Sequence, residues 1–166
     1  MSNFECKTHL PWTFRVIHWK KKGAINLDIG GGRNNTATNY LARHGVTNLV
    51  YDPFFRSTIH NEHVLRRVMA NPVDTVTVNN VLNVIAEKDE RLKVIKLAAE
   101  ALRPEGTAYF LIYEGDKSAV GCASRFCWQN NTVTDAYLPE IGAYFKSVHK
   151  SRNLIVAKAP NTRIDR

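Results

Sequence analysis

Asn26-Leu27-Asp28-Ile29-Gly30-Gly31-Gly32-Arg33-Asn34 is the stretch that decides the fold. The apolar run Ala24 to Ile29 ends in three glycines, which reads as a buried strand entering a tight turn. Glycines in such a turn let backbone approach a ligand closely. A helix over Thr36 to His44 follows, with Asn34 or Asn35 as N-cap and Gly45 as its stop. That helix would offer its first N–H groups to the same ligand. Asp28 sits inside the motif, at the strand end. A carboxylate there suits a cationic group and repels a pyrophosphate. The competing reading of the glycines is a plain tight turn.

Outward from this turn, strands and helices alternate. Thr47 to Tyr51 is a second strand, closed by Asp52-Pro53. Thr58 to Ala70 is a helix with Ile59, Val64, Leu65, Val68 and Met69 toward the core, broken at Asn71-Pro72. Val73 to Val78 is a third apolar strand. Glu87 to Arg103 is the strongest helix, with Leu92, Ile95, Ala98, Ala99 and Leu102 on one face. Pro104-Glu105-Gly106 ends it, and Thr107 to Tyr113 is the next strand. Thr134 to Phe145 reads as a helix that Pro139 kinks or restarts. Ser147 to Lys150 and Asn153 to Lys158 flank a turn, as a closing hairpin does. The pattern predicts an α/β sandwich with a mostly parallel sheet and one antiparallel strand.

Two further features carry chemistry. Asp52 ends the second strand, where a carboxylate can accept bonds from the two ribose hydroxyls of an adenosine ligand. The alternative is a turn residue before Pro53. The apolar strand from Asp74 runs straight into Asn79, Asn80 and Asn83. In open α/β sheets ligands lie at the carboxyl ends of strands, so these amides point at the reaction zone. Tyr113, Glu114 and Asp116 end the following strand, and Phe126 to Asn131 form a polar-aromatic cluster beyond it. Either group can line a substrate pocket or be an ordinary packed loop.

Composition narrows the class. The chain has 166 residues, the size of one domain (1–166), with 1–22 as an N-terminal arm or lid. Lys and Arg total 23 against 15 Asp and Glu, a net charge of +8, which favours a polyanionic partner such as nucleic acid. No apolar run approaches a membrane span, and Met1 to Leu10 lacks an apolar leader core, so a cytoplasmic protein is expected. Three cysteines, Cys6, Cys122 and Cys127, do not make a disulfide framework. His60-Asn61-Glu62-His63 is one residue short of a zinc-protease pattern and reads as solvated or capping. No metal site is expected. The segment Pro11 to Lys22 interleaves aromatics with bases, which suits base stacking or a packing arm.

Asn26 to Gly32 resembles motif I of class I S-adenosylmethionine-dependent methyltransferases. Leu49-Val50-Tyr51-Asp52 resembles their acidic motif, Asp74 to Ile85 their fourth-strand motif, and Leu102 to Thr107 the turn before their fifth strand. Val81 to Ile85 with Tyr51 to Phe55 is also similar to methyltransferases associated with DNA phosphorothioation. The resemblance covers about Gly23 to Lys158. It implies a Rossmann-like fold with S-adenosylmethionine held by Asp28, Gly30, Gly31, Gly32, Asp52 and Asn79. Asn79, Asn80, Tyr113 and Glu114 would then orient the methyl acceptor, for which charge points to a nucleic acid or nucleotide. A non-catalytic binding module on the same fold is the alternative, and a nicotinamide enzyme is a third that Asp28 argues against.

The sequence departs from that family in three places. Asn34 replaces the usual third glycine, and Glu105 replaces a glycine of the turn before the fifth strand. Between Asp52 and Asp74 only one helix fits, where the family has a helix, a strand and a helix. The expected sheet therefore has six strands and lacks the family's third. Its order is second, first, fourth, fifth, seventh, sixth in the family's numbering. Asp52-Pro53-Phe54-Phe55 resembles the Asp-Pro-Pro-aromatic motif of amino-methylating DNA enzymes, but it follows the second strand instead of the fourth.

Overall fold

The computed structural model describes residues 10–19, 22–123 and 128–161. In chain order these form α1 (Thr13–Val16), β1 (Ile25–Ile29), α2 (Thr36–Arg43), β2 (Thr47–Tyr51), α3 (Thr58–Ala70), β3 (Val73–Asn79), α4 (Lys88–Ala101) and β4 (Leu102–Leu111). A small hairpin, β5 (Cys122–Ala123) and β6 (Trp128–Gln129), comes next, then α5 (Leu138–Gly142), β7 (Phe145–Ser151) and β8 (Leu154–Pro160). The main sheet has the order β2-β1-β3-β4-β8-β7. Its first four strands are parallel and β8 is antiparallel to both β4 and β7. This is the six-stranded order read from the sequence. The segment from Pro53 to Pro72 holds a turn and α3 and no strand, which leaves β2 as the sheet edge among the described residues.

Strand parity divides the sheet into a dry face and a polar one. In register across β2, β1, β3, β4 and β8 run Leu49, Leu27, Val76, Ala108 and Ala157, and beside them Tyr51, Ile29, Val78, Phe110 and Ile155. This face packs against Val64 and Val68 of α3, Ile95 and Ala98 of α4, and Ile141 of α5 in one continuous core. The opposite face presents Asn48, Asn26, Thr75, Thr107 and Lys158, then Val50, Asp28, Thr77, Tyr109 and Val156. Here α2 covers only part of the sheet. Phe14 of α1 packs with Ala24, Leu41 and Val46 in a separate small cluster, and the Trp19 indole N–H donates to the Phe14 carbonyl at 2.8 Å. The described part of the N-terminal arm is thus a packing element. Lys20 and Lys21 lie outside the described residues.

Three expectations need correction. Ile59 is 70% exposed and Met69 is also exposed, because α3 turns Asn61, Val64 and Val68 to the sheet, at the i, i+3, i+7 spacing of one face. The helix expected over Thr134 to Phe145 restarts near Pro139 as read, but it ends at Gly142 and Phe145 opens β7. A 3-10 turn over Thr134–Tyr137 gives way to α5, with Pro139 in its first turn, where proline's missing N–H costs nothing. Residues 104–106 do not separate α4 from a later strand. Val73 pairs Leu102 while Thr75 pairs Thr107, so the four residues between form a bulge inside β4. Arg91 of α4 forms a two-pronged pair with Glu140 of α5, at 2.9 and 2.7 Å, and its third nitrogen caps the Ile85 and Ala86 carbonyls. Both side chains are largely buried, so this pair locks α5 onto α4.

Candidate functional site

The turn after β1 folds back over the strand it leaves. A Cβ on Gly31 would lie 2.5 Å from Asp28 Oδ2 and 2.9 Å from Val50 Cγ1, so only glycine fits there. Gly32 has φ +71° with open space where a side chain would stand, so the backbone itself is presented outward. The Gly30 N–H donates to the Tyr51 carbonyl at 2.8 Å, joining the turn to β2.

Asp28 is 2% exposed and points into the polar face beneath Gly31. The Thr77 hydroxyl donates to its Oδ1 at 2.9 Å. Burial pushes its carboxyl from 3.8 up to about 7, opposed by the Thr77 hydrogen bond and by the nearby Asn48 and Asn79 amides, and assisted by the nearby charge of Asp52. Thr77 belongs to a polar chain. Thr75 donates to Asn26, Asn26 donates to both Asn48 and Thr77, and Asn48 donates to Thr38 on α2.

Asp52 is also buried, and both its oxygens are engaged. The Gly32 N–H donates to Oδ2 at 2.8 Å, and the Phe54 and Phe55 N–H groups donate to Oδ1 at 2.9 and 3.1 Å. Asn61 of α3 brackets the Asp52 backbone, accepting from its N–H and donating to its carbonyl. Arg56 reaches across the same gap, its Nε donating to the Gly32 carbonyl at 2.8 Å. The glycine turn is therefore clasped to the end of β2. Phe54, 89% exposed, stands just outside the clasp.

Asn79 ends β3, its side chain close enough to Asp28 to favour that carboxylate's charge. Its Oδ1 and Nδ2 are buried, and neither has a hydrogen-bond partner. A buried amide left in this state costs about 1–3 kcal/mol. One donor and one acceptor thus wait between the glycine turn and β3. They fit a ligand with both kinds of group, as an adenosine linked to an amino acid has. Asn80 is exposed in a left-handed conformation, its N–H bonded to the Leu111 carbonyl.

The other residues singled out in the sequence divide into two roles. Asn83 is structural. It accepts from the Tyr113 N–H and donates to Gln129, tying the end of β4 to the β5–β6 hairpin. Asn130 completes that anchor by donating to the Leu82 and Ile85 carbonyls and the Tyr137 hydroxyl. Glu114 is a strut. Its Oε1 takes the Thr134 N–H and hydroxyl and its Oε2 takes Lys117, which together hold its carboxyl down at about 2. Tyr113 is 59% exposed and lines a cavity of about 580 Å³ shared with Arg152 and Asn153 of the β7–β8 turn. Phe126 and Cys127 lie outside the described residues. Among the described residues no cluster of His, Cys, Asp or Glu could hold a metal ion, and no helix is long and apolar enough to cross a membrane.

Sequence reasoning missed Thr77, Asn61 and Arg56. Thr77 was legible in principle, since it shares strand parity with Asn79. Asn61 occupies a position of α3 where an apolar residue is expected. Arg56 acts through a loop and leaves no periodic signal.

No protein-family profile and no curated protein matches this chain. Solved structures do match its fold. The 1,6-didemethyltoxoflavin N1-methyltransferase of Burkholderia thailandensis, solved with that substrate and S-adenosylhomocysteine, superposes with a TM-score of 0.62 at 17% identity, over 86% of this chain and 72% of its own. An S-adenosylmethionine-dependent methyltransferase of Methanosarcina mazei gives 0.62 at 12% identity, over 86% and 96%. The sugar N-methyltransferase KedS8 of a Streptoalloteichus species gives 0.54 at 11%, over 90% and 86%. The fold is that of the class I methyltransferases, and nothing in these likenesses bears on DNA phosphorothioation.

Proposed function

We propose that this chain binds S-adenosylmethionine across Gly30–Gly32, Asp28, Asp52 and Asn79 and transfers its methyl group to an acceptor held in front of β3 and β4. The observation that carries the reading is Asn79, a buried amide with both atoms unpaired beside Asp28 and the glycine turn. The cofactor supplies an already activated methyl group, so the protein's task is placement. Gly32 has no side chain to bar close approach, Asn79 offers a donor and an acceptor, and Asp52 offers a carboxylate to ribose hydroxyls once the Gly32 N–H lets go. Tyr113 and Asn80, at the ends of the neighbouring strands, would orient the acceptor. Glu114, with both oxygens engaged, holds the loop beside them. The net charge of +8 alone supports an anionic acceptor, with a nucleic acid or nucleotide the leading class.

One observation favours a second reading, a binding module without catalysis. Asp52 is buried and already accepts from three backbone N–H groups, so the site leaves ribose little of its carboxylate to bind. Titration calorimetry with S-adenosylmethionine separates the two. Saturable heat supports the enzyme, and its absence at millimolar ligand leaves only the module.

A further inference from the structure

The cavity beside Tyr113 has an uneven charge balance. Its wall carries Glu114, Asp135, Lys117, Lys150 and Arg152. Lys117 is paired with Glu114 at 2.9 Å, and Lys150 is paired with Asp135. Those four charges cancel. Arg152 is exposed and faces the cavity, and among the described residues no carboxylate pairs with it. A guanidinium offers five donors in a fixed fork, matched to carboxylate and phosphate geometry.

Its backbone supplies a second, independent observation. Ser151 pairs with Leu154, so Arg152 and Asn153 form a two-residue hairpin turn. Arg152 takes φ +56° at the first of these positions. Glycine is the usual residue there, because a Cβ is strained in that conformation. The turn thus keeps a strained arginine where glycine would fold more easily. The residue that bears this strain is the one cavity cation that no described carboxylate pairs. Asn153 beside it is spent on Ile112, its side-chain amide donating to the Ile112 carbonyl and its own carbonyl accepting from the Ile112 N–H.

We infer that Arg152 is the anion-recognition residue of the acceptor pocket, and that the pocket takes a small molecule carrying a phosphate or carboxylate on an aromatic or heterocyclic ring. The cavity, at about 580 Å³, is the size for one such ligand. Tyr113 and Val133 supply its apolar wall, and Tyr113 also connects it to Asn83 and so to the carboxyl ends of β3 and β4. This rests on the proposed methyl transfer for its meaning, but the pocket itself is tested without cofactor.

The experiment is amide NMR titration of the full chain with phenyl phosphate, benzoate and, as the uncharged control, phenol. One or both anions should shift Arg152, Asn153 and Tyr113, and the tighter of the two identifies the anionic group. Arg152→Gly relieves the turn, so it should melt no lower than the parent while losing about tenfold in affinity for that anion. Arg152→Lys should recover part of the loss. Shifts elsewhere, equal binding of phenol, no binding of either anion, or an unchanged affinity in Arg152→Gly would overturn the assignment. Calorimetry with S-adenosylmethionine reports separately on the cofactor reading.

Discussion

Replacing Asp28 with Asn should stabilise this protein in mildly alkaline solution while weakening its cofactor site. In the fold the carboxyl is buried under Gly31 and its proton is released near pH 7, against 3.8 for an ordinary aspartate. Between those two values the native chain holds a proton that the unfolded chain has lost. Stability is therefore full below about pH 4 and falls as pH rises, by about 1.4 kcal/mol per unit, until it levels above about pH 7. The total loss comes to about 4 kcal/mol. Asparagine cannot ionise and still accepts from the Thr77 hydroxyl. Its Nδ2 brings a new donor, which costs about 1–3 kcal/mol if it finds no partner. The net gain should be about 1–3 kcal/mol at about pH 8, and it should vanish or reverse at about pH 4. Urea unfolding of parent and variant across that range measures both ends. Parallel stability curves would show that Asp28 carries no such penalty and that burial does not govern its proton. Calorimetry on the same variant above about pH 7 should show weaker binding of S-adenosylmethionine, since the carboxylate beneath the glycine turn is gone.

Two other outcomes follow from the site. Asp52→Ala should weaken S-adenosylmethionine binding by about 1–3 kcal/mol through lost charge-assisted bonds, and an unchanged Kd in a folded variant would remove the ribose assignment. If the positive charge serves a nucleic-acid acceptor, oligonucleotide affinity should fall steeply from low to physiological salt, and gel shifts that stay flat, or show no complex at either, would discard that class of acceptor.

The sequence made much of this legible because the signals were periodic. The parallel strands show as apolar runs, and α3 and β2 have the bounds their patterns predict. The missing strand was readable as plain length between Asp52 and Asp74. Ile59 and Met69 were misplaced because α3 buries Asn61, and a hydrophobicity pattern cannot tell a buried asparagine from a surface one. Asp28, Gly31 and Asp52 stood out by residue type, but not the clasp among them. That clasp depends on Gly32, Arg56 and the Phe54–Phe55 N–H groups meeting across two loops, and loop geometry has no period. The Arg152 turn is similar, since a left-handed arginine is visible only in the backbone angles.

The polar rows on the sheet also settle how three parallel strands align. On the dry face a slide of β3 by two residues would bring Leu27 to Val78 instead of Val76, and one valine serves as well as another. Shape and oiliness alone would leave that slide nearly free. On the other face the same slide would set Asn26 beside Thr77 and Asp28 beside Asn79, giving up the Thr75–Asn26 bond and the Thr77–Asp28 bond together. Each amide and hydroxyl in the row is matched to particular neighbours, like teeth cut to one offset. A slip of one residue is forbidden by the exchange of faces, and a slip of two by these teeth. Replacing the row with valines could leave β1 and β3 equally well packed yet without a unique alignment, and the chemistry at their ends depends on that alignment.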